Sequence, residues 1–272
     1  VPSFYEVVTA AIKDMTENGF DSAARVERWA AEIRRAALSQ MATPRQLEGQ
    51  LTDSLRAVYK RLVDGGEIYR LNPGASKFTI DRLRPQMRSD LDRRIMASAG
   101  LIKLNREQAV EQTNRRFIGW ATSIPKGGSK NVDRRTENVE VRKALRSLPY
   151  EERRVIVDQG HKLFASINNV VAVGSGAIAG VWHSHFRQAG YTNFRKDHAA
   201  RDGKVYLLRE SWAKEKGFVK VGPAGYYDDV TAVGEEVFCR CWIEWLYTLS
   251  QLPKDMVTQK GVEALLALRK AA

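Results

Sequence analysis

Near Gly180 the spacing of apolar residues in this 272-residue chain changes, which limits the fold to a helical part followed by a smaller mixed one. Ser3 and Glu6 form a capping box ahead of Phe4, Val8, Ile12 and Met15, and Asn18-Gly19 stops that segment. From about Asp21, a second helix places Val26, Trp29, Ile33 and Ala37 on one face. Thr43, Pro44 and Gln46 then supply an N-cap, a first-turn proline and a capping partner for a third helix, which carries Leu47, Leu51, Leu55, Val58 and Leu62 and ends at Gly65-Gly66. The short turns between these helices imply antiparallel packing. Further helices are expected over 80–98, over 105–120, near Thr136, and from Ser147, where Pro149, Glu151 and Glu152 suit a first turn. Between them, SIPKGGSKN at 123–131 has the composition of an exposed flexible loop.

Beyond Gly180 the segments shorten. Strands are expected over 181–186, 204–208, 217–221 and 237–243, separated by Asp202-Gly203, Gly222-Pro223 and Ala224-Gly225, with a helix over 252–269 closing the chain. The expectation is an α+β fold: a basic helical region over 1–146, then a small mixed α/β domain over 147–272 with short antiparallel strands and a C-terminal helix. Residues 163–186 contain no Asp, Glu, Lys or Arg, but Asn168, Asn169, Ser175 and Gly174, Gly176 and Gly180 interrupt the run. A buried helix entering a glycine turn explains it better than a membrane span. No GxxxxGK[ST] or GxGxxG loop occurs, and Gly174-Ser175-Gly176 reads as a helix end.

All four histidines and both cysteines lie in the second half: His161, His183, His185, His198, Cys239 and Cys241. A disulfide closing across one residue is strained, so the cysteines are expected as reduced thiols, in a chain that folds in a reducing cytoplasm. Residues two apart in a strand share a face, so Cys239 and Cys241 would aim both sulfurs at one point, with Arg240 facing away. His183 and His185 have the same spacing. Tetrahedral zinc takes such mixed sulfur and nitrogen ligands, and the candidate set is His198, Cys239 and Cys241, with His183, His185 or Asp202 as a fourth. The competing account is two buried thiols and a histidine that bonds a neighbouring loop. His161, beside Val157 and Phe164, is expected to be packed.

Net charge is +12 and unevenly spread, since residues 51–150 hold 21 basic against 11 acidic side chains. Arg82, Arg84, Arg88, Arg93, Arg94, Arg106, Arg115, Arg116, Arg134, Arg135, Arg142 and Arg146 fall in that stretch. Such a face suits a polyanion or an acidic protein partner; interleaved acids and the lack of an aromatic ladder fit a plain solvated helical surface equally.

Taken together, Trp182, the segment FRKDHAARDGKVY at 194–206, Pro223 and FCRC at 238–241 resemble the C-terminal signature of the phage Mu F-like minor head proteins, also called phage head morphogenesis proteins. In that family a Trp precedes an Arg and a His, an Asp-Gly or Asn-Gly turn follows, and the domain ends in CRC. Those positions fall here on Trp182, Arg195, His198, Asp202, Gly203, Cys239, Arg240 and Cys241. The resemblance covers about residues 150–246. It departs in three places: Val157-Asp158-Gln159-Gly160 stands where an Arg-Thr-Glu-like stretch is frequent, Phe238 where Asn is common, and His183, His185 and Gly190-Tyr191 where an Asp is often found.

The resemblance implies a virion component without established enzymatic activity. Such a protein is assembled in the bacterial host cytoplasm, sits in the phage head or at the portal, and acts in head morphogenesis and in DNA packaging or ejection. Its implied partners are the portal protein, the major capsid protein and packaged double-stranded DNA, against which a basic helical segment would displace counterions. The alternative is a metal-dependent nuclease acting on phage or host DNA, in which His183, His185 or His198 activates water; no paired carboxylates accompany them.

Overall fold

The computed structural model describes residues 2–185 and 194–271. Phe186, at the end of the first expected strand, and Gly190-Tyr191 lie outside the described residues. The chain contacts divide it into two compact units, the first made of Val1–Leu51 and Met96–Ile156, the second of Thr52–Ile95 and Val157–Ala272. The sequence boundary at 146/147 falls inside a helix.

In the first unit, α1 (Phe4–Asn18) starts at the Ser3–Glu6 capping box, in which Glu6 Oε2 accepts from the Ser3 backbone N–H at 2.7 Å. α2 (Ala23–Ser39) and α3 (Pro44–Tyr59) follow, the latter with Thr43 and Gln46 bonded to one another across its first turn and its residues from Thr52 onward belonging to the second unit. Phe4, Val8, Ile12 and Met15 of α1 pack with Val26 and Ile33 of α2, and with Phe117 and Val141 from two long helices, as one apolar cluster. Those long helices are α5 (Lys77–Ser123) and α6 (Arg134–Gly174), each contributing residues to both units.

Both long helices correct the sequence reading. Residues 80–98 and 105–120 belong to one helix, because nothing in 99–104 interrupts it: Gly100 has open space around its Cα and costs only about 1 kcal/mol relative to Ala. Thr136 and Ser147 likewise belong to one helix, and Pro149 sits inside α6 instead of opening a new one. SIPKGGSKN is also not a loose loop. Phe20 N–H bonds Ile124 O at 3.1 Å, Gly127 N–H bonds Asn18 O at 3.0 Å and Ser129 N–H bonds Thr16 O at 2.8 Å, so this segment occupies the last carbonyls of α1. A Cβ on Gly128 would stand 2.4 Å from Thr16 O, and Gly128 has φ +87°. Composition mistook a close-packed glycine for a flexible one.

In the second unit a π-helical turn, Lys60–Asp64, leads into α4 (Glu67–Leu71). The apolar side chains of α3, α4 and the first part of α5 meet Leu163, Ile167 and Val171 of α6. α6 ends at Gly174, and β1 (Ala179–His183) begins a three-stranded antiparallel sheet, so the uncharged run is a buried helix end, a turn and a strand. β2 (Val205–Leu207) and β3 (Trp242–Leu246) flank β1, with Gly180 opposite Tyr206 on one side and Trp245 on the other. α7 (Lys196–Arg201) lies between β1 and β2, α8 (Trp212–Glu215) follows β2, and α9 (Gln259–Ala271) closes the chain. The α+β expectation holds, with three shifts of boundary. Residues 217–221 make only an isolated bridge, Val219 to Val257. Two short 3₁₀ turns, Leu249–Gln251 and Lys254–Met256, precede α9 where one helix was expected. The last strand starts at Trp242, beyond both cysteines.

No described helix is long and apolar enough to cross a membrane.

Candidate metal centre

Cys239 and Cys241 precede β3, so the shared strand face that first singled them out does not exist. Their convergence comes from turns. Cys239 N–H bonds Glu236 O at 3.2 Å, and Phe238 adopts φ 58°, a left-handed conformation that bulky side chains avoid. Asp158 of α6 holds that turn, its Oδ1 accepting from Phe238 N–H at 2.6 Å while Oδ2 pairs with Lys162 at 3.1 Å. Gly234 lets the same segment pass close to α6, since a Cβ there would lie 3.1 Å from Ala165 Cβ.

His198 reaches the cysteines from α7. Its Nδ1 lies 3.7 Å from Cys239 Sγ and 3.5 Å from Cys241 Sγ, and the three donor atoms lie within 4.8 Å of one another. With Zn–S near 2.3 Å and Zn–N near 2.0–2.1 Å, tetrahedral angles put sulfur and nitrogen about 3.6 Å apart, so these separations fit edges of a zinc coordination tetrahedron. His198 is 3% exposed and Cys239 6%, which shields the centre from bulk water.

The two thiols perturb one another. The Cys241 thiol, donating to Cys239, outweighs the opposing effect of burial, and backbone N–H groups of Gly234 and Cys241 and the nearby His198 assist; the Cys239 thiol is brought down to about 5. Cys241 is pushed well above the usual thiol range by its bond to Cys239, by burial and by the charge on Cys239, while the Ser184 hydroxyl and His185 N–H act in the opposite direction. A divalent metal bound there would displace thiol protons.

The remaining nominated residues hold the frame. Trp182 on β1 is fully buried and meets His198 edge-on, with ring centroids 5.5 Å apart and the Arg201 guanidinium 5.0 Å from its ring. Asp202 and Gly203 are the centre of a type II turn closed by Lys204 N–H on Arg201 O at 3.0 Å, with Gly203 at φ 73°. Asp202 is not among the converging donors. Its Oδ1 accepts the Ser184 N–H at 2.7 Å, which fixes the backbone that borders Cys241. Arg195 bonds Val237 O at 3.2 Å and pairs with Glu236. Arg240 is exposed.

Of the other candidate fourth ligands, His183 is committed elsewhere: it stacks on Trp242 at 4.0 Å and its Nε2 is 3.1 Å from Glu244 Oε2. His185 reaches the centre through its backbone N–H, and among the described residues the thiol-containing cluster has three members, His198, Cys239 and Cys241. His161 is exposed on α6 instead of packed, because Val157 beside it also faces solvent. Asp158 enters the sequence reading only as a departure from the family pattern, and Glu236 not at all. Each acts through a contact 38 to 80 residues away in sequence, and no local pattern records such a contact.

Six of the twelve arginines of the basic stretch are ion-paired among the described residues. Arg84 pairs with Asp64 and Asp81, Arg93 and Arg94 with Asp90, Arg115 with Glu111 and Arg134 with Glu17. Arg106 forms a buried-side pair with Glu152, and Arg116 bonds Glu140 O at 3.3 Å. Arg82, Arg88 and Arg135 are exposed on α5 and α6 with no ion-pair partner among the described residues. Arg142, which bonds Asn138 O and lies 4.4 Å from the Tyr5 ring, borders a cleft of about 380 Å³ together with Arg146, Phe4 and Met41.

No family model, curated protein or solved structure matches the chain.

Proposed function

We propose that this chain is a bacteriophage minor head protein that works by structure and attachment, bound at the portal of a DNA-filled head, with zinc at His198, Cys239 and Cys241. One observation carries the reading. Trp182, Arg195, His198, Asp202, Gly203, Cys239 and Cys241 are scattered through the sequence, yet they form one knot in which each holds a neighbour in place. A motif with that arrangement serves a framework. The soft sulfur pair with one imidazole favours zinc over oxygen-seeking cations such as Mg²⁺ or Ca²⁺. In this reading zinc supplies a cross-link between α7 and the segment before β3, the residues of the knot orient its ligands, and Trp182 keeps water away from His198.

The test is co-expression of the full chain with the portal and major capsid proteins encoded beside it. Co-elution with the portal supports the reading, and the lack of a neighbouring portal gene, or of any association, overturns it. Elemental analysis of the purified chain should give about one zinc, lost in Cys239→Ser. The nuclease alternative predicts plasmid cleavage with Mg²⁺, Mn²⁺ or Zn²⁺ that disappears in His198→Ala; that result would replace the present reading.

A further inference from the structure

A histidine can serve a metal through Nδ1 only if its proton sits on Nε2. In His198, Nδ1 is the atom that faces both sulfurs. Whatever stands opposite Nε2 therefore decides whether the centre is ready for a cation or blocked by a proton. Two carboxylates stand there: Glu236 Oε1 at 3.6 Å and Asp197 Oδ2 at 3.8 Å.

The two are not equivalent. The Asp197 side chain is 57% exposed and engages Arg201 at 3.1 Å on its own helix. The Glu236 side chain is 23% exposed and held from two directions, by Arg195 and by the Thr231 hydroxyl, which donates to Oε1 at 3.3 Å. Thr231 is itself fixed, its hydroxyl accepting from Arg201 at 2.9 Å. Glu236 also supplies the carbonyl that closes the turn onto Cys239. It thus touches the nitrogen ligand through its side chain and a sulfur ligand through its backbone.

We propose that Glu236 is the positioning residue of the metal centre: its carboxylate keeps the proton of His198 on Nε2 and so presents the Nδ1 lone pair to the metal bound by Cys239 and Cys241. At 3.6 Å the contact is electrostatic and just beyond hydrogen-bond length. A cation at Nδ1 makes the ring more positive and draws the N–H toward the carboxylate, the carboxylate–histidine–metal relay that orients ligands in zinc sites. Arg195 acts one step further out. It pairs with Glu236 and so keeps the carboxylate where His198 needs it.

This inference rests on the metal reading above, and the experiment separates their failures. Zinc affinity of the full chain is measured by competition with a chromophoric chelator for the parent, Glu236→Gln, Glu236→Asp and Asp197→Asn. Glu236→Gln should bind about 10- to 100-fold more weakly, Glu236→Asp should recover part of the loss, and Asp197→Asn should match the parent. The Co²⁺-loaded Gln variant should keep the sulfur charge-transfer bands but shift its d–d bands, because the nitrogen ligand turns while the thiolates stay. Parent affinity in Glu236→Gln, or the same loss in Asp197→Asn, overturns the proposal. A parent that binds zinc too weakly to compete overturns the metal reading and this inference with it. Independently of any variant, long-range ¹H–¹⁵N correlation of metal-free parent should show His198 as the Nε2–H tautomer; the Nδ1–H tautomer would refute the proposal even if zinc binds.

Discussion

Phe117 and Trp182 are both fully buried aromatic rings, one in each unit, and their surroundings differ in kind. Phe117 sits among Val110, Ala121, Val141 and the apolar faces of α1 and α2, where many side chains contribute alike. Trp182 sits against His198, Arg201 and Tyr206, and its Nε1 has no hydrogen-bond partner. The first environment is redundant: removing one ring leaves the pattern that formed it. The second depends on a few specific contacts between polar and charged groups, and removing one leaves further charges and donors without partners in a dry place.

Chelation should widen this contrast most. Structural zinc contributes on the order of 10 kcal/mol to small domains, so an excess of a strong chelator should abolish hydrogen-exchange protection in β1 and β3 while α1 and α2 keep theirs. Equal loss in both places would erase the distinction. Phe117→Ala is the reciprocal case. It should cost about 3–5 kcal/mol in denaturant unfolding and leave zinc stoichiometry at the parent value.

A smaller effect is expected at Phe238, whose φ of 58° puts a bulky residue in the left-handed region. Asn tolerates that conformation and a β-branched residue does not, so Phe238→Asn should be more stable than Phe238→Val by about 1–2 kcal/mol. Equal thermal midpoints for the two would show that the turn is not strained.

The smallest effect concerns pH in the helical unit. Burial raises the Asp14 carboxyl, but the Trp29 indole N–H at 2.7 Å, the Asn18 amide and Arg25 outweigh it, so its pKa is lowered. A carboxyl whose folded pKa lies below its unfolded one stabilises the fold above the ordinary carboxylate range, and loses that contribution as pH falls through the folded value. Asp14→Asn should therefore show a shallower decline in thermal midpoint between neutral pH and pH 3. Parallel acid limbs would contradict it.

The same contrast explains what could be read from the sequence. Ser3, Glu6, Thr43, Gln46 and the faces carrying Ile12, Met15 and Ile33 announce helices because their partners lie one turn away or repeat at a fixed period. Where α5 and α6 continue through Gly100 and Pro149, tertiary burial overrode local propensity, which no window of residues records. His198, Cys239 and Cys241 were identifiable by chemistry alone, although the strand argument for their convergence was wrong. Their supports were hidden, since Asp158 and Glu236 look like any other surface acid until the chain brings them to Phe238 and His198.

The segment SIPKGGSKN has a practical consequence for anyone labelling this protein. Its Gly-Gly-Ser centre invites the insertion of an epitope, a fluorophore or a protease site. The N–H groups of Gly127 and Ser129, however, hold the carbonyl end of α1, and Gly128 passes too close to it to admit even a methyl group. A tag placed there would unfasten the first helix, and resistance of this glycine-rich stretch to limited proteolysis would be its outward sign.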